Sequence, residues 1–151
     1  MRALLLALTE RLTVNLPYLS WVGVIADPLL PPQSHAPPFV GLLDGGLSEQ
    51  SLPNRNDLQT LTVGIMAYQA LQIEDSGAAV LGEPSLGEGG KGLLEIQEDI
   101  RALLQDYTVA GAFSFAHRDS LEATQAIAND DNFLTMKQAV YRYQRLVRTG
   151  A

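Results

Sequence analysis

Apolar and polar residues alternate from Leu58 to Gln69, LQTLTVGIMAYQ. Leu61, Val63, Ile65 and Ala67 fall on one side, and Thr60, Thr62, Gly64, Met66 and Tyr68 on the other. Successive strand side chains face opposite sides of a sheet, so this pattern predicts one long strand with a greasy face and a mixed face. Its Thr, Val, Ile and Tyr residues suit a pleated surface. A second alternation runs from Ala139 to Val147, AVYRYQRLV, with Ala139, Tyr141, Tyr143 and Arg145 on one face and Val140, Arg142, Gln144 and Leu146 on the other. It predicts a neighbouring strand whose Arg and Tyr residues are expected at exposed positions, available to a protein interface or a channel lining.

Two stretches carry the helical period instead. Arg2 to Leu16 puts Leu5, Leu8, Leu12 and Leu16 on one stripe with Leu4 beside it, and Pro17 stops the helix. Gly92 to Tyr107 puts Leu93, Ile96, Ile100, Leu103, Leu104 and Tyr107 on one face, with Glu95, Glu98, Asp99, Arg101 and Gln105 elsewhere. The acids in its first half suit the helix dipole. This second helix is the natural cover for Leu61, Val63 and Ile65. Burying roughly five large apolar side chains at 1.5–3 kcal/mol each would make that contact the main source of gross stability. The mixed face, with Met66 and Tyr68, is expected to be covered either by the first helix or by another subunit.

Between these elements the signals are shorter. Tyr18 to Ile25 reads as a strand or an extended docking segment, with Trp21 as a core anchor or, less favoured, an interface anchor. Asp27 to Pro38 holds Pro28, Pro31, Pro32, Pro37 and Pro38, so it predicts a long loop, with His35 as an exposed residue lacking a partner. Phe39 to Asp44 predicts a short strand ended by a turn at Gly45 and Gly46. The polar Leu47–Asp57 stretch then joins it to Leu58–Gln69 as an antiparallel hairpin with a long open tip. Leu71 to Lys91 predicts a flexible Gly-rich loop. Val109 to His117 reads as a strand or a returning loop. Ser120 to Asn129 carries a weak helical pattern, which Asn129, Asp130, Asp131 and Asn132 break as a solvated turn.

Together these elements predict an α/β (α+β) fold. It is a small, mainly antiparallel sheet with an N-terminal helix and a second amphipathic helix packed on it, in a single domain over residues 1–151. At 151 residues the chain can bury roughly 68–70% of its unfolded surface. Charged residues make up only 18%, and mean hydropathy is +0.05, which leans towards a protein that buries surface against partners. The net charge of -7 argues against a general nucleic-acid binder. The segment from Lys137 to Arg148 is nonetheless locally basic, with Lys137, Arg142, Arg145 and Arg148 and no acid. MRALLLALTERL is too briefly apolar for a secretory signal, and no stretch approaches the ~20 apolar residues of a membrane helix.

No motif marks a catalytic site. There is no cysteine, and His35 and His117 are the two histidines, so cysteine nucleophiles and multi-histidine metal sites are not expected. No G-x-S-x-G elbow surrounds Ser114 or Ser120. The run Gly87 to Gly92, GEGGKG, has the wrong spacing for a phosphate loop, and Gly92 stands where the metal-binding hydroxyl belongs. The chain is therefore expected not to be an enzyme and to use no cofactor and no metal.

The opening helix MRALLLALTERL, the strand PPFVGLLD after a proline loop, TLTVGIMAYQ, the helix LLEIQEDIRALLQDY and the closing VYRYQRLV span most of the chain. In pattern, size and order they resemble the tail terminator (tail completion) proteins of long-tailed bacteriophages. That resemblance implies a hexameric ring in the virion, at the head-proximal end of the tail, assembled in the host cytoplasm. The ring would cap the tail tube, end its polymerisation and present a surface for joining the neck and head. The partners implied are other copies of the chain, the tail-tube protein, neck or connector proteins and the tail sheath. DNA would pass through the lumen without sequence recognition, and no membrane is involved. The residues nominated for subunit or tube contact are Trp21, Tyr141, Arg142, Tyr143, Gln144 and Arg145, together with the loop Asp27–Pro38. The alternatives are a neck, connector or tail-tube protein of the same particle, or a small ligand-binding domain using the Gly82–Gly92 loop.

Overall fold

The computed structural model describes residues 1–32, 34–71, 77–82, 90–109, 113–129 and 132–148, with the side chains of residues 114–116, 128, 129 and 132 left aside. These residues form three helices and six strands in an α+β fold. In chain order they are α1 (Arg2–Asn15), β1 (Val22–Val24), β2 (Phe39–Leu52), β3 (Asn56–Ala70), α2 (Ala78–Leu81), α3 (Leu93–Leu104), β4 (Ser114–Leu121), β5 (Gln125–Asn129) and β6 (Asn132–Arg148). The sheet order is β1-β2-β3-β6-β4, with β5 also pairing β6. Every pairing is antiparallel except β1 with β2.

The alternating stretch is the centre of this sheet, as its pattern predicts. β3 pairs with β6 without a register shift, from Asn56 opposite Arg148 to Ala70 opposite Leu134. Its Leu61, Val63, Ile65 and Ala67 side is fully buried with Val40, Leu42, Ala139, Tyr141 and Tyr143 beneath α1 and α3. From α1 come Leu4, Leu5, Leu8 and Leu12, and from α3 come Leu93, Ile96, Ile100 and Leu104. Thr9, Thr13 and Asn15 on the outer side of α1 donate to the carbonyls of Leu5, Thr9 and Arg11, so these polar groups are satisfied within the helix.

Side-chain ties hold the helices in place. Arg11 Nε donates to Leu103 O at 2.8 Å, near the carbonyl end of α3, and its guanidinium lies 3.7 Å from the centroid of the Tyr107 ring. Asp99 accepts from Tyr18 Oη at 2.7 Å and pairs with Lys91 Nζ at 2.6 Å. Gln97 is fully buried and reaches the sheet itself, its Nε2 donating to Lys137 O at 2.7 Å and Ile65 O at 3.1 Å. Sequence periodicity gave no reason to single out Gln97.

The mixed face of β3 is covered by the chain itself, which corrects both expectations for it. α1 lies on the opposite face. Met66 and Tyr68 pack with Phe39, Ile127, Leu134 and Met136, and Trp21, Ile25 and Leu43 close over them. The proline loop is tied down here: Tyr68 Oη donates to Pro28 O at 2.6 Å, and Ser20 Oγ donates to Ala36 O. Trp21 therefore serves the core side. Its indole lies over Gly23, where a Cβ would sit 2.2 Å from the ring, and it meets Phe39 edge-on at 6.4 Å between centroids. His35 is half-buried and stacked on Trp21 at 5.4 Å, so the expectation of an exposed, unpartnered histidine is also corrected.

Two further expectations change. Gly45 and Gly46 do not end a strand but form a bulge within β2, where the register shifts between Asp44 and Leu47. Gly46 has φ +101°, and its N–H donates to Asp44 Oδ1 at 2.8 Å. A glycine pair signals left-handed backbone to both a turn and a bulge, so the sequence alone does not separate them. The hairpin turns instead at Pro53–Arg55, with Asn54 and Arg55 at positive φ, and its tip is tight rather than long and open. Within the weak helical pattern of residues 120–129, the end of β4 and all of β5 are strand, both paired to β6. Pairing along a long neighbouring strand overrides the helical preference of its alanines. Val109 bridges Phe113 just before β4. The predicted Gly-rich loop contains α2, while residues 72–76 and 83–89 and the predicted turn at Asp130 and Asp131 lie outside the described residues.

Candidate assembly surface

The sheet is thickly covered at one end and only partly covered at the other. None of residues 47–52, 56–60 or 144–148 is buried. These residues form a three-stranded arm of β2, β3 and β6, ending where Leu52 pairs with Asn56 and Asn56 with Arg148. The arm follows from the sequence. On the far side of the β2 bulge, Leu-Ser-Glu-Gln-Ser brings a single large apolar residue, so the helix layer has no apolar face to cover there.

Each face of the arm carries its own rows. On the helix side, Arg145 Nε donates to Gln59 Oε1 at 2.6 Å and Gln59 Nε2 donates to Glu49 Oε1 at 2.7 Å. This row crosses all three strands, and Arg145 also lies over the ring of Phe113 at 4.8 Å. On the other face, Gln50, Leu58 and Leu146 stand side by side, followed by Ser48, Thr60 and Gln144. Leu146 is 62% exposed and Leu47 is 45% exposed. Beyond them a shallow depression of ≈ 320 Å³ is lined by Ser48, Thr60, His117, Arg142 and Gln144. Arg142 Nη2 pairs with Asp119 Oδ2 at 3.3 Å, and His117 Nε2 lies 4.0 Å from Asp119 Oδ1.

The residues nominated from the sequence separate into three groups. Arg142, Gln144 and Arg145 lie on or beside the arm. Tyr141 and Tyr143 do not. They are fully buried under the helices, which corrects the expectation that they are exposed. The register explains this: Tyr141 sits opposite Val63 and Tyr143 opposite Leu61, on the face that α1 and α3 cover. Burial pushes the Tyr141 hydroxyl up to about 12 and the Tyr143 hydroxyl higher still. Neither hydroxyl has a hydrogen-bond partner among the described residues. Trp21 lies at the opposite, doubly covered end, beneath His35.

Among the described residues no three His, Asp or Glu side chains gather as a metal site requires. Among the described residues, His117 faces Asp119 at 4.0 Å, the outer limit of an ion pair. Lys91, the lysine of GEGGKG, is engaged by Asp99. No helix among the described residues is long and apolar enough to cross a membrane. No family model and no curated protein matches the chain.

Proposed function

We propose that the chain is a structural ring subunit of a phage tail, a tail terminator. Copies assemble into a ring, expected to be a hexamer, that caps the tail tube, stops its growth and offers its other side to the neck. It acts without catalysis or cofactor, at the head-proximal end of the virion tail. DNA slides through its lumen, and the acidic net charge of -7 keeps the ring from gripping it. The reading joins the element order of the sequence to one structural observation: a sheet that runs past its helix cover into an arm none of whose residues is buried. A subunit that acts alone has little reason to project three hydrogen-bonded strands into water with Leu47 and Leu146 exposed.

The test combines the purified chain with tail tubes polymerised from the tail-tube protein of the same phage. Light scattering follows mass, and electron microscopy follows tube length and end structure. The reading expects rings at tube ends and a halt to elongation, even where the free chain is a monomer. A chain that neither forms rings nor binds tube ends ends the proposal. Open-ended polymerisation of the chain by itself would identify a tube subunit instead.

A further inference from the structure

Away from the arm, α1 carries an arginine that is fixed in place but not used up. Arg11 is half-buried. Its Nε donates to Leu103 O at 2.8 Å, and its guanidinium lies 3.7 Å from the centroid of the Tyr107 ring. A guanidinium has five N–H groups, and these contacts engage only the one on Nε. Among the described residues, the four on Nη1 and Nη2 have no hydrogen-bond acceptor and no carboxylate in ion-pair range. Arg11 and Tyr107 border a depression of ≈ 380 Å³ between α1 and the segment that follows α3. Ala7, Val14 and Val109 give it an apolar wall, and the exposed Glu10 stands at it too. The Tyr143 hydroxyl is fully buried, has no partner among the described residues, and lies within electrostatic reach of Arg11 and Tyr107.

We propose that this depression binds a small monocarboxylate with an apolar body, its carboxylate held by the Nη edge of Arg11. The planar fork of a guanidinium matches the two oxygens of a carboxylate. Leu103 O and the Tyr107 ring already hold the group, so little side-chain freedom remains to be lost on binding. The wall of Ala7, Val14 and Val109 takes the aliphatic or aromatic body. The volume lies at the low end of the ~300–1,000 Å³ usual for ligand sites, which suits a molecule of benzoate size. A buried O–H without an acceptor is costly, and an anion on Arg11 supplies an acceptor on the side that Tyr143 faces. Glu10 sets the limit on charge: a second carboxylate on the ligand would meet it, so a monoanion is preferred. None of these residues belongs to the arm, and the site stands independently of the ring reading.

The test titrates benzoate at pH 7 into the isotope-labelled chain, with benzamide as the uncharged match. Nuclear magnetic resonance follows the Arg11 Nε–H and Val109 amide signals. The proposal expects one saturable site for benzoate and binding of benzamide at least about tenfold weaker, the loss of one charge-assisted contact. Arg11→Lys keeps the charge and loses the fork, and is expected to weaken benzoate about tenfold. Glu10→Gln removes the opposing charge and is expected to tighten benzoate about threefold while leaving benzamide unchanged. Glu10 is exposed, so this variant decides the question even where Arg11→Lys loosens α1. Shifts that grow linearly without saturation would overturn the site. Benzamide binding as tightly as benzoate, or benzoate binding unmoved by Glu10→Gln, would overturn the assignment of a carboxylate to Arg11.

Discussion

Gln97 gives the sharpest handle on the core. It is a fully buried amide on α3 whose Nε2 donates to two sheet carbonyls, Ile65 O and Lys137 O, while its Oε1 has no partner among the described residues. Gln97→Glu keeps the shape and replaces the donor with an acceptor. Two carbonyl oxygens then face a carboxylate in a fully buried site. Leaving such a charge unpaired costs about 3–5 kcal/mol, a large share of the ~5–15 kcal/mol that holds a domain together. The penalty depends on pH. Burial raises the folded pKa of the new carboxyl above its ordinary value of about 4.3, so the protonated form fits the fold best. Stability is therefore best preserved below pH ~4 and falls as pH rises, by up to about 1.4 kcal/mol for each pH unit between the unfolded and folded pKa values. Gln97→Leu is the control. It removes the donor and the orphaned Oε1 together, and is expected within about 1.5 kcal/mol of the parent, with no such pH slope. Urea unfolding followed by Trp21 fluorescence and far-ultraviolet circular dichroism at pH 5 and pH 8 reads both. If Gln97→Glu matches Gln97→Leu at pH 8, Gln97 does not sit dry against the sheet.

Other outcomes follow from the same geometry. Burial raises the hydroxyl pKa of Tyr18, Tyr68, Tyr141 and Tyr143, with Tyr141 at about 12. Because the folded values lie above the unfolded 10, that stability is complete below pH ~10 and is lost as pH rises through 12. Tyrosinate absorbance should therefore grow in step with unfolding; four tyrosines titrating near pH 10 in a folded chain would contradict their burial. Leu146→Asp is expected to leave the unfolding free energy within about 0.5 kcal/mol, since the residue is exposed, yet to abolish ring formation in light scattering. Gly46→Val forces a β-branched residue into positive φ and should cost about 1–3 kcal/mol by thermal unfolding; a neutral result would place the bulge elsewhere.

The parts legible in the sequence are those in which one period runs long. Leu58–Gln69 and Gly92–Tyr107 declare themselves because their apolar faces are continuous, and the pairing of β3 with β6 follows from the two clear alternations in the chain. The parts that were not legible depend on what lies across the sheet. The Tyr/Arg alternation of β6 looks like a solvated strand until Leu61 and Val63 stand opposite its tyrosines. The helical look of residues 120–129 gives way only because β6 is long enough to pair them. The partners of Met66 and Tyr68 come from β2, β5 and β6 and from Trp21 and Ile25, a convergence that no periodicity encodes. The arm itself was legible only in fragments: the polarity of Leu47–Asp57 and the basic end of β6 were both visible, but not that β3 sets them side by side.

The unbroken pairing of β3 with β6 has a mechanical consequence. It begins deep in the core, at Leu134 opposite Ala70, and ends at the tip of the arm, at Arg148 opposite Asn56. At about 3.3 Å per residue the shared run is a beam roughly 50 Å long, anchored along half its length. The register between these two strands does not shift anywhere along the run; the shifts lie where β2 meets β3 and where β4 meets β6. A force applied along the strands at the tip loads the rungs in shear, and many must fail together. A sideways load is resisted by the anchored half, so the arm swings very little. Whatever the tip grips is held at an angle set inside the core, and small repacking there is levered into a much larger displacement outside.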